Sequence, residues 1–490
     1  MDNLLVLTVA LPLLMAFLLP IVYRFSHFIA GLLGPIVLLF LIWLTFCAAY
    51  NLPAETTSFS IVIGGFLPPQ GIVFYVDRMA LLFAFAVPLV TLLMWPWKSN
   101  LDSEARPRQL SLLMVLVAAS SGLALSGDLF NLYVFYELVA VASYGLVINS
   151  QMSASYVAAY RYLLLSAAGS VLALLGIAII YFQTGTLNLA HLSLMAEKLD
   201  APLGLSAFVM LLIGFGVKAE LFPVNSWVPE VYLASSRRVA GLLAGLVSKL
   251  AVLIVLKTLL TMFNHTLAYD LLLILGVIGL VIGELSALKA TDLPRMLSWS
   301  SIGQLGLVFI AFSVPGKTGM MAGIAIMLHH MLVKPALFLM AERWGQQLVD
   351  LKGAAKSSPL MAALFVVFAL SLMGVPPLPG FWAKFLMLTG LAEVGSSLSM
   401  MALLVVLLMM VIEANYLFRV ASLLYDRQAR QQSSHGFINA LTVSSMAAVL
   451  LAATVFIKPV SEALDVIATQ ASDQQAMIKI TLGSKTGDQK

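Results

Sequence analysis

Residues 217–229 read VKAELFPVNSWVP, and residues 374–384 read GVPPLPGFWAK. In each, a lysine stands beside a proline-rich interruption inside a run otherwise apolar enough to cross a bilayer. Lys218 is followed by Pro223 and Pro229, and Lys384 is preceded by Pro376, Pro377 and Pro379. Proline removes an amide donor and disrupts the helical hydrogen-bond ladder. A broken helix persists at membrane depth only where protein buries it or a wet cavity adjoins it. An ammonium there costs about 2.5–3.5 kcal/mol even on a lenient insertion scale, so it faces a polar interior and is a functional candidate by default. Matched interruptions in the two halves of a chain mark an inverted-repeat transporter.

Around these two stretches the composition is that of a membrane protein. The 490 residues are 61% hydrophobic and 10% charged, with a mean hydropathy of +1.00, which no soluble domain of this length requires. Apolar runs long enough for about 30 Å of hydrocarbon fall near 4–22, 28–50, 79–97, 110–126, 128–149, 159–182, 203–222, 239–260, 270–288, 297–313, 318–340, 358–378 (continuing past a proline break to about 392), 399–424 and 440–458. They predict an all-α polytopic membrane protein of about 14 transmembrane helices, called spans 1–14 below, with spans 7 and 12 broken. One transmembrane domain covers 1–460. Residues 461–490 read as a short polar tail without helical periodicity beyond its start, and the first apolar run, which lacks a basic leader and a cleavage site, reads as a retained span.

Lys218 and Lys384 lie 166 residues apart, an offset that maps spans 4–8 (about 110–260) onto spans 9–13 (about 270–424). A repeat of five helices is odd-numbered, so its copy is inverted. The same offset carries Glu137 to Gly303, beside Gln304, and Lys249 to Asn415, two residues from Glu413.

Basic residues set the orientation. With both termini outside the cytoplasm, fifteen lysines and arginines, among them Arg106, Arg108, Arg237, Arg238, Lys352 and Lys356, fall on the cytoplasmic side. Only Arg78, Lys198 and Lys317 occupy the opposite loops. The net charge of +4 therefore reflects orientation, and no basic stripe with interleaved aromatics suggests nucleic acid. The single cysteine, Cys47, excludes a disulfide framework or a cysteine-ligated cluster within this chain. No phosphate-cradling glycine motif occurs. No cofactor or metal is expected, no redox or hydrolytic site is apparent, and the energy for transport comes from an ion gradient or from partner subunits.

Five lysines lie inside apolar runs: Lys218, Lys249, Lys257, Lys334 and Lys384. Burial disfavours the charged form of a lysine and a nearby carboxylate favours it, so a movable contact between Lys218 and Glu137, midway along span 5, switches Lys218 between holding and releasing a proton. Arginine would stay charged. The bland alternative is a static packing pair, and such pairs stabilise poorly. Lys249 in span 8 receives the proton through water, followed by His330 and Lys334, which share one helix face at a spacing of four; His329 points elsewhere. Lys257 is expected to snorkel to the outer interface. Glu220 and Glu230 flank the first break near the cytoplasmic side, Glu230 as a solvated carboxylate. Asp292 caps a helix, and Glu284 and Glu413 have no assigned part.

Six motifs occur in order: SGDLFNLYVFYELVAVASYGLV (126–147), VKAELFPVNSWVPEVY (217–232), LLAGLVSK (242–249), SSIGQLG (300–306), HHMLVKPALFL (329–339) and PPLPGFWAKF (376–385). Together, from about residue 70 to about 425, they resemble the antiporter-like subunit family shared by Mrp-type cation/proton antiporters, respiratory complex I and membrane-bound hydrogenases. The first motif with YFQTGTLNLAHLS (181–193) looks most like the D-type member of the Mrp assemblies. The resemblance implies fourteen helices with inverted five-helix repeats and broken helices 7 and 12. It implies a proton relay in which Glu137 and Lys218 form the charge pair, Lys249 follows on span 8, His330 and Lys334 on span 11, and Lys384 ends the path on span 12. Two departures are ASSRRVAG (234–241), which puts Arg237 and Arg238 where small residues are usual, and Pro294 in place of a lysine. Two functions follow: a proton-translocating subunit of a multi-subunit Mrp-type Na+/proton antiporter, or a proton-pumping subunit of a complex I-like oxidoreductase or membrane-bound hydrogenase. Either places the chain in the cell inner (plasma) membrane of a prokaryote, among other membrane subunits.

Overall fold

The protein is described by a computed structural model covering residues 2–52, 58–97, 101, 104–151, 153–427 and 437–483. Each of the fourteen expected runs coincides with a helix. Ten of the described helices have full spanning length: Asn3–Phe25, His27–Tyr50, Ala105–Leu125, Leu129–Ile148, Ser153–Thr184, Arg237–Met262, Thr266–Lys289, Leu293–Phe312, Lys317–Trp344 and Ser397–Leu424. Arg78–Leu93, Pro202–Gly216 and Pro359–Met373 are shorter. The last two are the first limbs of spans 7 and 12, and their chains resume as helices at Val228–Ala234 and Pro379–Val394. Asn439–Val455 runs into Ile457–Ala471 through an 87° bend.

Local chemistry sets the ends of these helices. The Asp77 carboxylate accepts from Ala80 N at 2.6 Å, Asp128 from the amides of Phe130 and Asn131, and Asp292 from Arg295 N, each satisfying amides that a helix start leaves open. Gly374 closes the first limb of span 12 with φ of +83°, the left-handed backbone that glycine adopts without a Cβ penalty.

The chain forms two compact units. The first comprises residues 1–219, 250–268 and 467–490. Strands β1 (Ser58–Val62) and β2 (Val73–Asp77) pair antiparallel, with Ser58 opposite Asp77. Phe74 bridges to Ser126 and Asp128 to Asn188, so the connections around spans 2–3, 4–5 and 6–7 gather at one end of this unit. Spans 6 and 7 pack through small residues: a Cβ on Gly214 would lie 2.6 Å from the Gly169 carbonyl, a close approach typical of membrane helices. The second unit comprises residues 220–249 and 269–466. Asp292 bridges to Gln347, Leu348 N donates to the Thr291 carbonyl, and Gly353 N to the Leu423 carbonyl. Within this unit the connections between spans 9–10, 11–12 and 13–14 therefore gather as the others do in the first. Asp128 and Asp292 thus repeat one role, capping the first helix after a turn and bridging to the segment before a broken span.

The tail departs from expectation. Residues Ile457–Ala471 and Gln474–Leu482 are helical, because Met477, Ile478, Ile480 and Leu482 form an apolar edge that packs against Tyr75 and Ala190, and tertiary burial overrides a weak periodic signal. The Ser60 hydroxyl donates to the Ile480 carbonyl at 3.3 Å. Residues 484–490 lie outside the described residues. Met477→Asp, which places a charge against Tyr75, is expected to release this helix from the hairpin. Limited proteolysis of the 63–72 loop should then speed up severalfold, and unchanged cleavage would remove the tail from the folded core.

Candidate functional site: lysines at interrupted helices

The first cluster lies in the first unit. Lys218, two residues beyond the end of Pro202–Gly216, is 1% exposed. Its ammonium donates to Ser166 Oγ at 2.7 Å, sits 3.4 Å from the centre of the Tyr136 ring, and stands 3.7 Å from Glu137 Oε1. The Tyr136 hydroxyl donates to the Gly214 carbonyl at 2.8 Å, which fixes the ring. Glu137 also accepts from Ser170 Oγ, and its side chain keeps 35% of its exposure. The pair is therefore an ion contact longer than a hydrogen bond, with the lysine held by a hydroxyl and a ring face and the carboxylate partly open.

Lys257 belongs to the same unit, and its position corrects the expectation of snorkelling. It is 8% exposed and donates to the Ala124 and Ser126 carbonyls at 2.7 and 3.0 Å. Those carbonyls are left open where span 4 ends. With Asp77, Asp473 and Gln474 it lines a small cavity beneath the tail helix. The apolar run around Lys257 hid this, since its acceptors come from a helix end more than a hundred residues away.

In the second unit, Lys249 is fully buried and donates to the Ala244 carbonyl at 2.6 Å. That carbonyl belongs to a single π-helical turn, Leu243–Val247, and such turns recur at functional sites. Gly245 in the same turn lets span 8 approach span 11, since a Cβ there would lie 2.4 Å from Pro335 Cγ. Glu220, expected at the cytoplasmic approach, is buried at the break with φ of +56°, a strained backbone for a residue other than glycine, and accepts from Tyr232 Oη at 2.5 Å. Glu230 is exposed in the first turn of Val228–Ala234. The unusual arginines have plain partners: Arg237 donates to the Tyr232 and Leu233 carbonyls at the end of that short helix, and Arg238 to Asn439 Oδ1.

Further into this unit, Lys334 donates to Ser300 Oγ at 2.7 Å, and the Tyr416 hydroxyl meets the same oxygen at 2.9 Å. Lys384 donates to Glu413 Oε2 at 2.6 Å and to the Leu372 carbonyl at 2.6 Å, an acceptor freed by the break in span 12; Gln304 Nε2 donates to Glu413 Oε1. Glu413, without an assigned part in the sequence, is thus the partner of Lys384. His329, expected to point elsewhere, pairs with Ser371 on span 12 at 2.8 Å, whereas Nδ1 of the buried His330 has no hydrogen bond among the described residues. The hydroxyls of Ser166, Ser170, Ser300, Ser371 and Tyr416 went unread in the sequence, where they look like ordinary helix residues; only the 166-residue offset pointed near Gln304 and Glu413.

Ten or eleven apolar helices of spanning length among the described residues, with lysines and carboxylates buried among them, define a multi-pass membrane protein. The family of NADH:quinone oxidoreductase and Mrp antiporter transmembrane subunits matches residues 126–411, and the chain belongs to it. The D component of the Na(+)/H(+) antiporter of Alkalihalophilus pseudofirmus is 32% identical over 333 residues, 66% of this chain and 68% of that protein. The N component of the NADH-quinone oxidoreductase of Desulforudis audaxviator is 31% identical over 372 residues, 73% and 74% of the two chains. A chain in the membrane-bound sulfane sulfur reductase, an archaeal respiratory membrane complex, superposes with a TM-score of 0.91 at 26% identity, covering 98% of this chain and 100% of that one.

Removing one member of a buried ion pair strands the other, at about 3–5 kcal/mol, whereas replacing both by apolar residues is often neutral. Lys384→Met is therefore expected to lower the thermal unfolding temperature of the purified protein sharply, and adding Glu413→Leu should restore most of it. Additive losses would mean that the two side chains are not energetic partners.

Proposed function

We propose that the chain is the proton-translocating subunit of a multi-subunit Mrp-type monovalent cation (Na+)/proton antiporter, and that Glu137, Lys218, Lys249, His330, Lys334 and Lys384 are its relay. The observation that carries this reading is the Lys218 site. A lysine serving only to pack helices would be expected in a tight ion pair. Lys218 instead has a carboxylate 3.7 Å away and a neutral hydroxyl at 2.7 Å, an arrangement that tolerates both the ammonium and the amine. When Glu137 approaches, the ammonium is favoured; when it withdraws towards Ser170, the proton is released. The repeated capping by Asp128 and Asp292 supports two five-helix repeats, about 110–260 and 270–424, within a membrane domain over 1–460. The chain is assigned to the plasma membrane, with the connection before span 4 in the cytoplasm and the start of the tail outside.

A second reading has its own support, because the relatives include a component of an NADH-quinone oxidoreductase and a chain of a sulfur-reducing respiratory complex. In it the same relay is driven by electron transfer in partner subunits. Subunit identification in the native complex separates the two: small membrane subunits alone favour the antiporter, and iron–sulfur subunits favour the redox pump.

Glu137→Gln and Lys218→Ala are expected to abolish transport in everted vesicles while leaving the amount of inserted protein unchanged, and Lys218→Arg to fail as well, since arginine keeps its proton. Near-normal transport by Lys218→Arg would reduce the site to a packing pair. For orientation, in a Cys47→Ser background an impermeant thiol reagent on intact cells should label a cysteine at Lys458 and spare one at Glu104; the reverse pattern would overturn the assigned topology.

A further inference from the structure

Glu284, in span 9, is 1% exposed, and neither of its carboxyl oxygens has a hydrogen bond among the described residues. The titratable groups that face it come from three helices: Glu413 and Tyr416 from span 13, Lys384 from span 12 and Lys334 from span 11. Span 10 makes room for it with Gly303, where a Cβ would lie 2.3 Å from Glu284 Oε1. One residue on, Gln304 spends its amide on Glu413, and its own buried carbonyl oxygen has no donor among the described residues. Two carboxyl oxygens of Glu284 and the amide oxygen of Gln304 are thus buried without a hydrogen-bond donor among the described residues. Buried polar groups are rarely left so, and protonation turns a carboxylate into a carboxylic acid with an O–H donor of its own.

We propose that Glu284 is a further relay residue, a carboxylic acid that stores a proton between Lys334 and the Lys384–Glu413 pair. The inference rests on the proton-translocating reading above and deepens it. The Tyr416 hydroxyl faces Glu284 but is bonded to Ser300, which also holds the Lys334 ammonium. The step balances as a chain of hydrogen exchanges. Glu284 gives its O–H hydrogen to Glu413 and becomes a carboxylate, while Glu413 becomes an acid that protonates a neutral Lys384 amine. Tyr416 then turns from Ser300 to the Glu284 carboxylate and gives it its hydrogen, takes that of Ser300 in return, and Ser300 takes one N–H hydrogen from the Lys334 ammonium. The acid is restored, Lys334 is left as an amine, and one positive charge has moved from span 11 to span 12.

Two measurements on the complete complex test this. In infrared spectra of the purified protein, the carbonyl band of a buried carboxylic acid should be present in the wild type and absent from Glu284→Gln. In vesicles, Glu284→Gln should lower transport about a hundredfold, the lower range for losing a proton-transfer group. Gly303→Ala, which displaces the carboxyl, should behave similarly. Glu284→Asp keeps an acid on a shorter arm, so it should retain part of the activity with a shifted pH profile, which a purely structural carboxyl would not produce. An acid band that persists in Glu284→Gln overturns the proposal, as does a lost band with unchanged transport and pH profile. The infrared result is read without turnover, so it stands or falls separately from the transport reading.

Discussion

A lysine held at the depth of a membrane has to find acceptors where almost none are free, because every backbone carbonyl in an intact helix is already bonded within it. The arrangement of the interior follows from that constraint. Lys384 takes a carbonyl at the break in span 12, Lys249 one within a π turn, and Lys257 two at the end of span 4. Lys218 and Lys334 use serine hydroxyls of neighbouring helices instead. The irregularities in otherwise apolar helices and the positions of the lysines are thus two aspects of one requirement.

The two carboxylate–lysine pairs are built differently. In the first unit the contact is 3.7 Å, and the carboxylate is partly open and shared with a serine. In the second it is 2.6 Å and fully buried, with glutamine as the third member. Desolvation offsets much of the attraction in the tight pair, whereas the looser one leaves the lysine neutral contacts on which to rest without its charge. In the proposed relay, that difference would suit a gate at Glu137–Lys218 and a holding point at Lys384–Glu413.

The two proline breaks also place their lysines differently. Lys218 stands at the end of the first limb of span 7, and Lys384 lies within the second limb of span 12. The offset of 166 residues therefore aligns residues on opposite sides of their breaks, and Asp128 with Asp292 aligns the two halves through their caps instead. Unlike Lys218, whose carboxylate comes from span 5, Lys384 draws its own from span 13 and meets span 10 through Gln304.

Much was legible in the chain alone. Long apolar runs and the cost of burying a charge pointed to an all-α membrane protein of about fourteen helices, prolines located the broken spans, and isolated lysines named the residues on which transport is proposed to turn, because each of these is a local property of a few adjacent side chains. Which acceptor each lysine meets was not local. The Glu413 partner, the Ser371 contact of His329, the burial of Lys257 against the end of span 4 and the unpaired carboxyl of Glu284 all arise between segments far apart in sequence. Serine, tyrosine and glycine in an apolar run carry no sign of which neighbour they will face. Only packing brings a helix end or a missing Cβ to the side chain that needs it, and so tertiary structure decided the wiring of the interior.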